Sequence, residues 1–216
     1  MHVMIINGSP RVKQFSNTDK ILEEFTKGMC ENGTTFEQYE ISDRRQWDAI
    51  REAYYQNENI LIALPLYVEC IPGLLMEFLE TLHHREDKVR LSFILQSGFA
   101  EGIQLRCGEA YLEKLAGRLG CEYGGTLVKG DNFSIRLLGE EQRKKVTGPY
   151  ENMGREFGKQ GNFLSDTCRS FTGPEVFPAY VRWMLSLIFQ TFAKKGFNRF
   201  AKSWGCKEPL DYKPYE

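Results

Sequence analysis

Hydrophobic positions along the chain occur in two kinds of spacing, short continuous runs and helical repeats. The runs of strand length lie at 2–6, 35–41, 60–66, 91–95 and 122–129. The stretches with helical period lie between and after them, at 17–31, 47–57, 73–84 and 102–119. Strands that alternate with helices are typical of a parallel sheet, because each right-handed crossover places a helix on one face. The pattern therefore predicts an α/β fold with a five-stranded parallel sheet and helices on both faces.

Residues 35–41 differ from the other strand-like runs because apolar and polar side chains alternate along them. Strands in the middle of a parallel sheet are buried on both faces and read as nearly continuous apolar runs. An alternating run has one polar face, so we expect residues 35–41 to form an edge strand.

The chain beyond the last strand has further helical periodicity. Residues 140–160 are interrupted at Gly148–Pro149, where we expect a break because proline cannot continue a helix. Residues 176–204 form a long amphipathic stretch that the alternating fold does not need. We therefore predict a domain over 1–165 and a helical C-terminal extension over 166–216, packed on that domain or on a partner subunit.

A membrane surface is the other use of such an extension. Aromatic side chains are followed by basic ones toward its end, which is typical of a helix that lies on a bilayer. The apolar run 183–193 is too short to span a membrane. Packing against protein is the commoner use of a one-sided helix, so we favour it over membrane binding.

Charge and residue usage exclude several classes of protein. Among 216 residues the net charge is −1, and Lys and Arg are spread along the chain, so we expect no nucleic-acid partner. The strand-length run behind Met1–His2 lacks the features of a targeting segment, and we expect a cytoplasmic location. The six cysteines form no closely spaced pair, which predicts reduced, mostly buried thiols, and His83–His84 at the end of a helix do not suit a metal site.

The loop NGSPRVKQFSNT at residues 7–18 follows the first predicted strand and precedes the first helix. Ligands of such sheets bind beyond the carboxyl ends of the strands, near the point where the strand order reverses. Gly8 allows a sharp exit from the strand, Arg11 brings positive charge, and the hydroxyl residues lie beside a helix N-terminus with unsatisfied N–H groups. This combination suits a phosphate group.

The type of phosphate follows from the motifs that the loop lacks. It has no Gly-Lys-Ser/Thr triplet of a nucleoside-triphosphate site and no G-x-G-x-x-G of a dinucleotide turn. A terminal monoester phosphate remains. Taken alone, the loop is equally well explained as a polar connection with a Ser or Asn helix cap and no ligand.

Two further segments favour a ligand. PLYVECIPGLLMEFLE at 65–80 follows the third predicted strand, and SGF at 97–99 follows the fourth. Together with GSPRVKQFSNT, these segments resemble the NAD(P)H-dependent FMN reductase family of the flavodoxin-like superfamily, which also includes quinone reductases, azoreductases and iron-sulfur flavoproteins. The resemblance covers residues 1 to about 130. It implies a flavodoxin-like fold.

The resemblance also implies bound FMN, NAD(P)H as a transient co-substrate, and hydride transfer to a quinone-like or other small acceptor. It assigns the FMN phosphate to Ser9, Arg11, Ser16, Asn17 and Thr18. It assigns the isoalloxazine ring to Pro65, Leu66, Tyr67 and Val68 on one side and to Ser97, Gly98 and Phe99 on the other. No side chain is expected to act as a catalytic acid or base, and no metal is expected. Relatives of this kind pair, so a homodimer is implied.

Three alternatives stay open at this point. A flavodoxin-type electron carrier would bind the same cofactor without NAD(P)H activity, although such carriers are usually strongly acidic. A flavin-free adaptor would have the same fold. Cys70 is either a redox thiol or a small packing residue, and packing is favoured because no second cysteine or basic neighbour lies beside it. An iron-sulfur centre is not expected, because the loop lacks a cysteine cluster.

Overall fold

The computed structural model describes residues 1–213 and Tyr215. The chain divides into two compact units, Met1–Glu175 and a second unit that begins at Val176. The predicted domain boundary at residue 165 stays a prediction, and the predicted extension includes Pro214 and Glu216, which lie outside the described residues.

The first unit is built on a five-stranded parallel sheet. Its strands are β1 His2–Asn7, β2 Thr35–Glu40, β3 Asn59–Pro65, β4 Arg90–Gln96 and β5 Glu122–Lys129. Their order is β2-β1-β3-β4-β5, and every neighbouring pair is parallel. This is the flavodoxin-like strand order, whose direction reverses between β1 and β3. The predicted fold class is confirmed, and β2 is an edge strand as expected.

Helices cover both faces of the sheet. The helices of the first unit are α1 Asn17–Cys30, α2 Trp47–Gln56, α3 Gly73–Leu79, α4 Arg106–Arg118, α5 Glu140–Thr147, α6 Pro149–Gln160 and α7 Asp166–Ser170. Along β1, Met4 and Ile6 belong to the apolar cluster with α2, α3 and α4. Val3 and Ile5 belong to the cluster with α1 and α6. Successive side chains of a strand point to opposite faces, so a strand between two helical layers must be apolar throughout.

Helices α1 and α6 approach each other through glycines. A Cβ atom on Gly28 of α1 would lie 1.9 Å from the carbonyl oxygen of Glu151, and one on Gly154 of α6 would lie 1.9 Å from the carbonyl oxygen of Phe25. Both obstacles are backbone atoms. The close packing of α1 on α6 therefore requires glycine at both positions.

Two element boundaries test the sequence pattern. The break expected at Gly148–Pro149 is confirmed, since α5 ends at Thr147 and Pro149 is the first residue of α6. Helix α3 is shorter than the predicted 73–84, and His83 and His84 lie beyond its end. The backbone N–H of His83 instead bonds to the Tyr55 hydroxyl (2.9 Å), and His84 Nδ1 bonds to the Arg118 carbonyl (3.0 Å). These tertiary contacts fix the two histidines outside the helix.

The expectation of mostly buried cysteines is wrong. All six thiols are free, but only Cys121 and Cys168 are buried. Cys70 is exposed, so its interpretation as a packing residue is also wrong. It lies in a turn after β3 that is closed by backbone hydrogen bonds between Tyr67 and Cys70, and this turn lies outside the apolar core.

The second unit, described by itself, is helical. Helix α8 Ala179–Ile188 continues through a π-helical turn, Phe189–Ala193, into α9 Lys194–Ser203. In its described part, Ala201 alone is buried, and Trp183 and Phe192 are 68% and 82% exposed. No helix in the described part of the chain is long and apolar enough to cross a membrane.

Candidate functional site

A cavity of about 400 Å³ opens beyond the carboxyl ends of β1, β3 and β4. It lies at the reversal of strand order, where ligands of such sheets bind. Most of the site residues expected from the sequence line it, namely Ser9, Arg11, Asn17, Thr18, Pro65, Leu66, Tyr67, Val68, Ser97, Gly98 and Phe99. Three loops that are distant in sequence are thus brought together around one space. Their expected contacts with FMN stay a prediction.

Ser16 does not line the cavity. It is the N-cap of α1, and its Oγ accepts a hydrogen bond from the backbone N–H of Asp19 (3.1 Å). Ser16 thereby starts the helix. The first two N–H groups of the helix, those of Asn17 and Thr18, have no hydrogen-bond partner in the described part of the chain. Its position supports a phosphate site indirectly, by orienting the helix.

The loop before α1 follows a path that depends on glycine. The N–H of Gly8 bonds to the carbonyl of Ala63 on β3 (2.7 Å). A Cβ atom at this position would lie 2.8 Å from Leu75 Cδ2 and 3.2 Å from Leu64 Cβ. Gly8 therefore allows the loop to lie against β3, and the loop then turns toward the cavity.

Polar residues of this loop line the cavity. The N–H of Arg11 bonds to Ser9 Oγ (3.3 Å), which leaves the Ser9 hydroxyl proton for a ligand. Arg11 is exposed and pairs with no carboxylate in the described residues. None of the described residues that line the cavity is Asp or Glu. Asp19 lies in the first turn of α1 but is paired with Lys13 and Lys20. An arginine together with a helix N-terminus, and no acidic residue in the cavity lining, favours a negatively charged group at this end.

The opposite wall is a tight turn after β3. Tyr67 and Cys70 exchange backbone hydrogen bonds of 2.8 and 3.1 Å. Between them, Val68 and Glu69 have φ of 47° and 69°, in the left-handed region that favours glycine. For a β-branched residue this conformation costs on the order of 1–3 kcal/mol, and Val68 gains little from burial because it is 75% exposed. Strain of this kind is common at ligand-binding turns, and here it lies beside a cavity.

The third wall joins the loops after β4 and β5. The N–H of Ser97 bonds to the Lys129 carbonyl (3.1 Å), and the N–H of Asn132 bonds to the Ser97 carbonyl (2.9 Å). A Cβ atom on Gly98 would lie 3.2 Å from Phe133 Cβ. Gly98 therefore leaves room for the side chain of Phe133. The N–H groups of Gly98 and Val68 are unpaired among the residues that the structure describes.

Four lining residues were missed by the sequence analysis, namely Gln96, Asn132, Phe133 and Arg136. Gln96 gave a signal, because it is a polar residue at the end of an apolar strand, and its Nε2 reaches Thr18 Oγ1 (3.4 Å). The other three follow β5, and the sequence placed no loop from β5 at the site. Among them, Asn132 is buried and bonds through Nδ2 to the Tyr150 hydroxyl (2.9 Å). Burial raises the pKa of Tyr150, which therefore stays protonated.

The described residues that line this cavity include no His, Cys, Asp or Glu. In residues 1–213 and Tyr215, no three His, Cys, Asp or Glu side chains are placed to hold a metal ion. Exposed Cys70 belongs to the strained turn, and the thiol of Cys107 lies 4.0 Å from the Glu69 carbonyl of the same turn.

Comparison with known proteins found solved structures that are similar to this chain. No family model and no curated protein matches the chain. An FMN-dependent NADH-azoreductase from Bacillus anthracis, solved in complex with FMN, is similar with a TM-score of 0.53 and 17% identity, over 73% of this chain and 100% of that one. An NAD(P)H:quinone oxidoreductase from Methanothermobacter marburgensis is similar with a TM-score of 0.53 and 16% identity, over 73% of this chain and 96% of that one. The chain thus has the flavodoxin-like fold that these oxidoreductases share.

Proposed function

We propose that this protein binds FMN and acts as an NAD(P)H-dependent oxidoreductase that reduces a quinone-like or other small acceptor. The observation that carries the proposal is the cavity at the β1/β3 reversal, which joins an anion-binding end to two loops suited to a flat ring. The azoreductase with bound FMN and the quinone oxidoreductase have the same fold, which supports the choice of cofactor and reaction.

The residues present fit FMN at both ends of the cavity. The N–H groups at the start of α1, the Ser9 hydroxyl and the Arg11 guanidinium suit a monoester phosphate. Apolar side chains of Pro65, Leu66 and Tyr67 suit a ring. The volume of about 400 Å³ lies within the usual range of small-molecule sites, roughly 300–1,000 Å³.

The chain itself would contribute position and electrostatics. Bound FMN supplies hydride chemistry. The helix N-terminus and Arg11 would hold the cofactor by its phosphate, and the half-exposed rings of Tyr67 and Phe99 would exclude water from its ring. The unpaired N–H groups of Val68 and Gly98 would favour negative charge that develops on a ring between them. No side-chain acid or base is required for such a role.

The cofactor assignment predicts a yellow purified protein. Flavin released by heat should run as FMN on chromatography, because the loop suits one phosphate and lacks the glycines that a pyrophosphate needs. NADH or NADPH should bleach the flavin band in anaerobic stopped-flow measurements, and a quinone should restore it. Release of FAD, or a colourless protein that added FMN does not colour, would contradict the cofactor assignment.

A flavodoxin-type electron carrier is the alternative function. Bleaching by a protein reductase, with neither nicotinamide active, would support it. The net charge of −1 favours the enzyme, because carriers of this type are usually strongly acidic to match their partners. NADH or NADPH as the preferred donor, and the cytoplasmic location, stay predictions.

The helical extension supports a homodimer in this proposal. Helix α8 presents Tyr180, Trp183, Met184 and Leu187 at helical spacing, and all four are exposed. Soluble proteins rarely leave a large apolar stripe uncovered. We therefore expect a second copy of the chain to cover it, or the domain of the same chain.

Trp183→Glu should convert the dimer to a monomer, because a buried carboxylate without a partner is costly at an interface. Light scattering of the full-length protein measures this. Arg182→Glu is the control, since Arg182 lies on α8 away from this stripe and is also exposed. A Trp183→Glu protein that remains dimeric, or a wild type that is monomeric, would contradict pairing through this stripe.

A further inference from the structure

The side chain of Asn17 has a fixed orientation in the cavity wall. Its Nδ2 donates a hydrogen bond to the carbonyl oxygen of Asn132 (2.7 Å). A carbonyl oxygen only accepts hydrogen bonds, so the nitrogen of the amide must face Asn132 and Oδ1 must face away from it. That Oδ1 is buried and accepts no hydrogen bond from the described residues. An unpaired buried acceptor costs roughly 1–3 kcal/mol, so this arrangement favours a ligand that donates a proton here.

We infer that Asn17 Oδ1 accepts a hydrogen bond from a hydroxyl of the ribityl chain of FMN and does not bind its phosphate. The inference rests on the proposed function. A phosphate monoester is mostly dianionic at pH 7, and in that form it offers three acceptor oxygens and no proton to donate to another acceptor. A ribityl hydroxyl donates a proton and lies next to the phosphate in FMN. Asn17 then contacts two parts of the ligand. Its backbone N–H donates to the phosphate, and its Oδ1 accepts from the ribityl chain.

The carbonyl group that orients Asn17 belongs to Asn132, which is itself held by hydrogen bonds to its neighbours. Asn132 Nδ2 donates to the Lys129 carbonyl (3.0 Å) and to the Tyr150 hydroxyl (2.9 Å), and its N–H donates to the Ser97 carbonyl. Tyr150 lies on α6 and is 1% exposed. Tyr150 is therefore a positioning residue, which acts on the ligand only through Asn132 and Asn17.

The inference distinguishes two flavins that differ only in the phosphate. The full-length protein, freed of flavin, is titrated with FMN and with riboflavin, and binding is followed by the quenching of flavin fluorescence. Asn17→Ala should weaken both flavins by a similar factor, about tenfold, which corresponds to one hydrogen bond. Arg11→Ala should weaken FMN and leave riboflavin unchanged. Ser16 still caps α1 in both variants, and thermal unfolding of the free proteins checks that they fold.

Competition by inorganic phosphate gives a second, independent readout. Phosphate should inhibit FMN binding with the same inhibition constant in wild type and Asn17→Ala, and more weakly in Arg11→Ala. Tyr150→Phe should weaken FMN and riboflavin by one common, smaller factor without changing phosphate inhibition.

An Asn17→Ala protein that loses affinity for FMN and phosphate but not for riboflavin would overturn the inference, as would one that binds both flavins like wild type. A wild-type protein that binds neither flavin would instead overturn the proposed function. If wild type binds FMN but riboflavin too weakly to measure, phosphate inhibition decides. Weaker FMN binding by Asn17→Ala with an unchanged phosphate constant then supports the inference, whereas unchanged FMN binding or weaker phosphate inhibition overturns it.

Discussion

Arg11→Glu should weaken FMN binding by about a hundredfold and leave riboflavin binding within about threefold of wild type. Arg11 lines the cavity and has no carboxylate partner in the described residues. A hydrogen bond to a charged group contributes about 1.5–3 kcal/mol, or roughly 10–100-fold, and a glutamate adds repulsion of the phosphate. Because Arg11 is exposed, the loss should shrink as salt concentration rises. Fluorescence titration at low and high salt measures both effects.

Lys13→Glu is the matched control for this variant. It makes the same change of charge two residues further along the loop, but Lys13 does not line the cavity and its side chain is 70% exposed. We expect its FMN affinity to change by less than about threefold, because the Lys13 charge is exposed to solvent and its near partner is Asp19 (3.9 Å), which does not line the cavity either. Equal losses in the two variants would mean that only the general charge of the loop matters. No loss in Arg11→Glu would place the phosphate elsewhere.

Gly154→Ala should lower the free energy of unfolding by about 3 kcal/mol. The new Cβ would lie 1.9 Å from the Phe25 carbonyl oxygen and 3.0 Å from the Met29 nitrogen. Neither backbone atom can move aside as a side chain would, so α1 and α6 must separate and lose packing between them. Urea unfolding of the full-length protein, followed by circular dichroism, measures the change.

Gly117→Ala is the control for that substitution. Gly117 lies in α4, is exposed, and would place its Cβ more than 4 Å from any atom other than its chain neighbours and the backbone of its own helix. Alanine in a helix interior is favoured over glycine by about 0.5–1 kcal/mol, so this variant should be slightly more stable than wild type. If Gly154→Ala is as stable as Gly117→Ala, α1 and α6 are not held so close together that an alanine forces them apart.

The sequence predicted the sheet because each buried strand between two helical layers must be apolar on both faces. It also located the loop at 7–18 and the loops after β3 and β4, because their position follows from the sheet order. The same periodicity extended α3 too far, since Leu79 and Leu82 continue the helical spacing while contacts with Tyr55 and Arg118 end the helix. The local spacing of apolar residues contains no information on such tertiary hydrogen bonds.

The loop after β5 could not be placed in the site from the sequence. Its route depends on Asp131, which has φ of 60°, and on the bonds of Asn132 to Ser97 and Lys129. Nothing in the spacing of apolar residues encodes a reversal of this kind. The exposure of Cys70 was missed for a related reason, because the left-handed turn that displays it is an unusual conformation for Val68 and Glu69.

The strand order also determines when the site can exist during synthesis. Strand β1 leaves the ribosome first, yet it lies between β2 and β3, and the side chain of Asn17 bonds to a residue 115 positions further along the chain. A nascent chain that ends before Asn132 therefore contains residues 7–18 without the carbonyl group that orients Asn17. Under the proposed function, FMN would therefore be bound late in biosynthesis, after the sheet is complete.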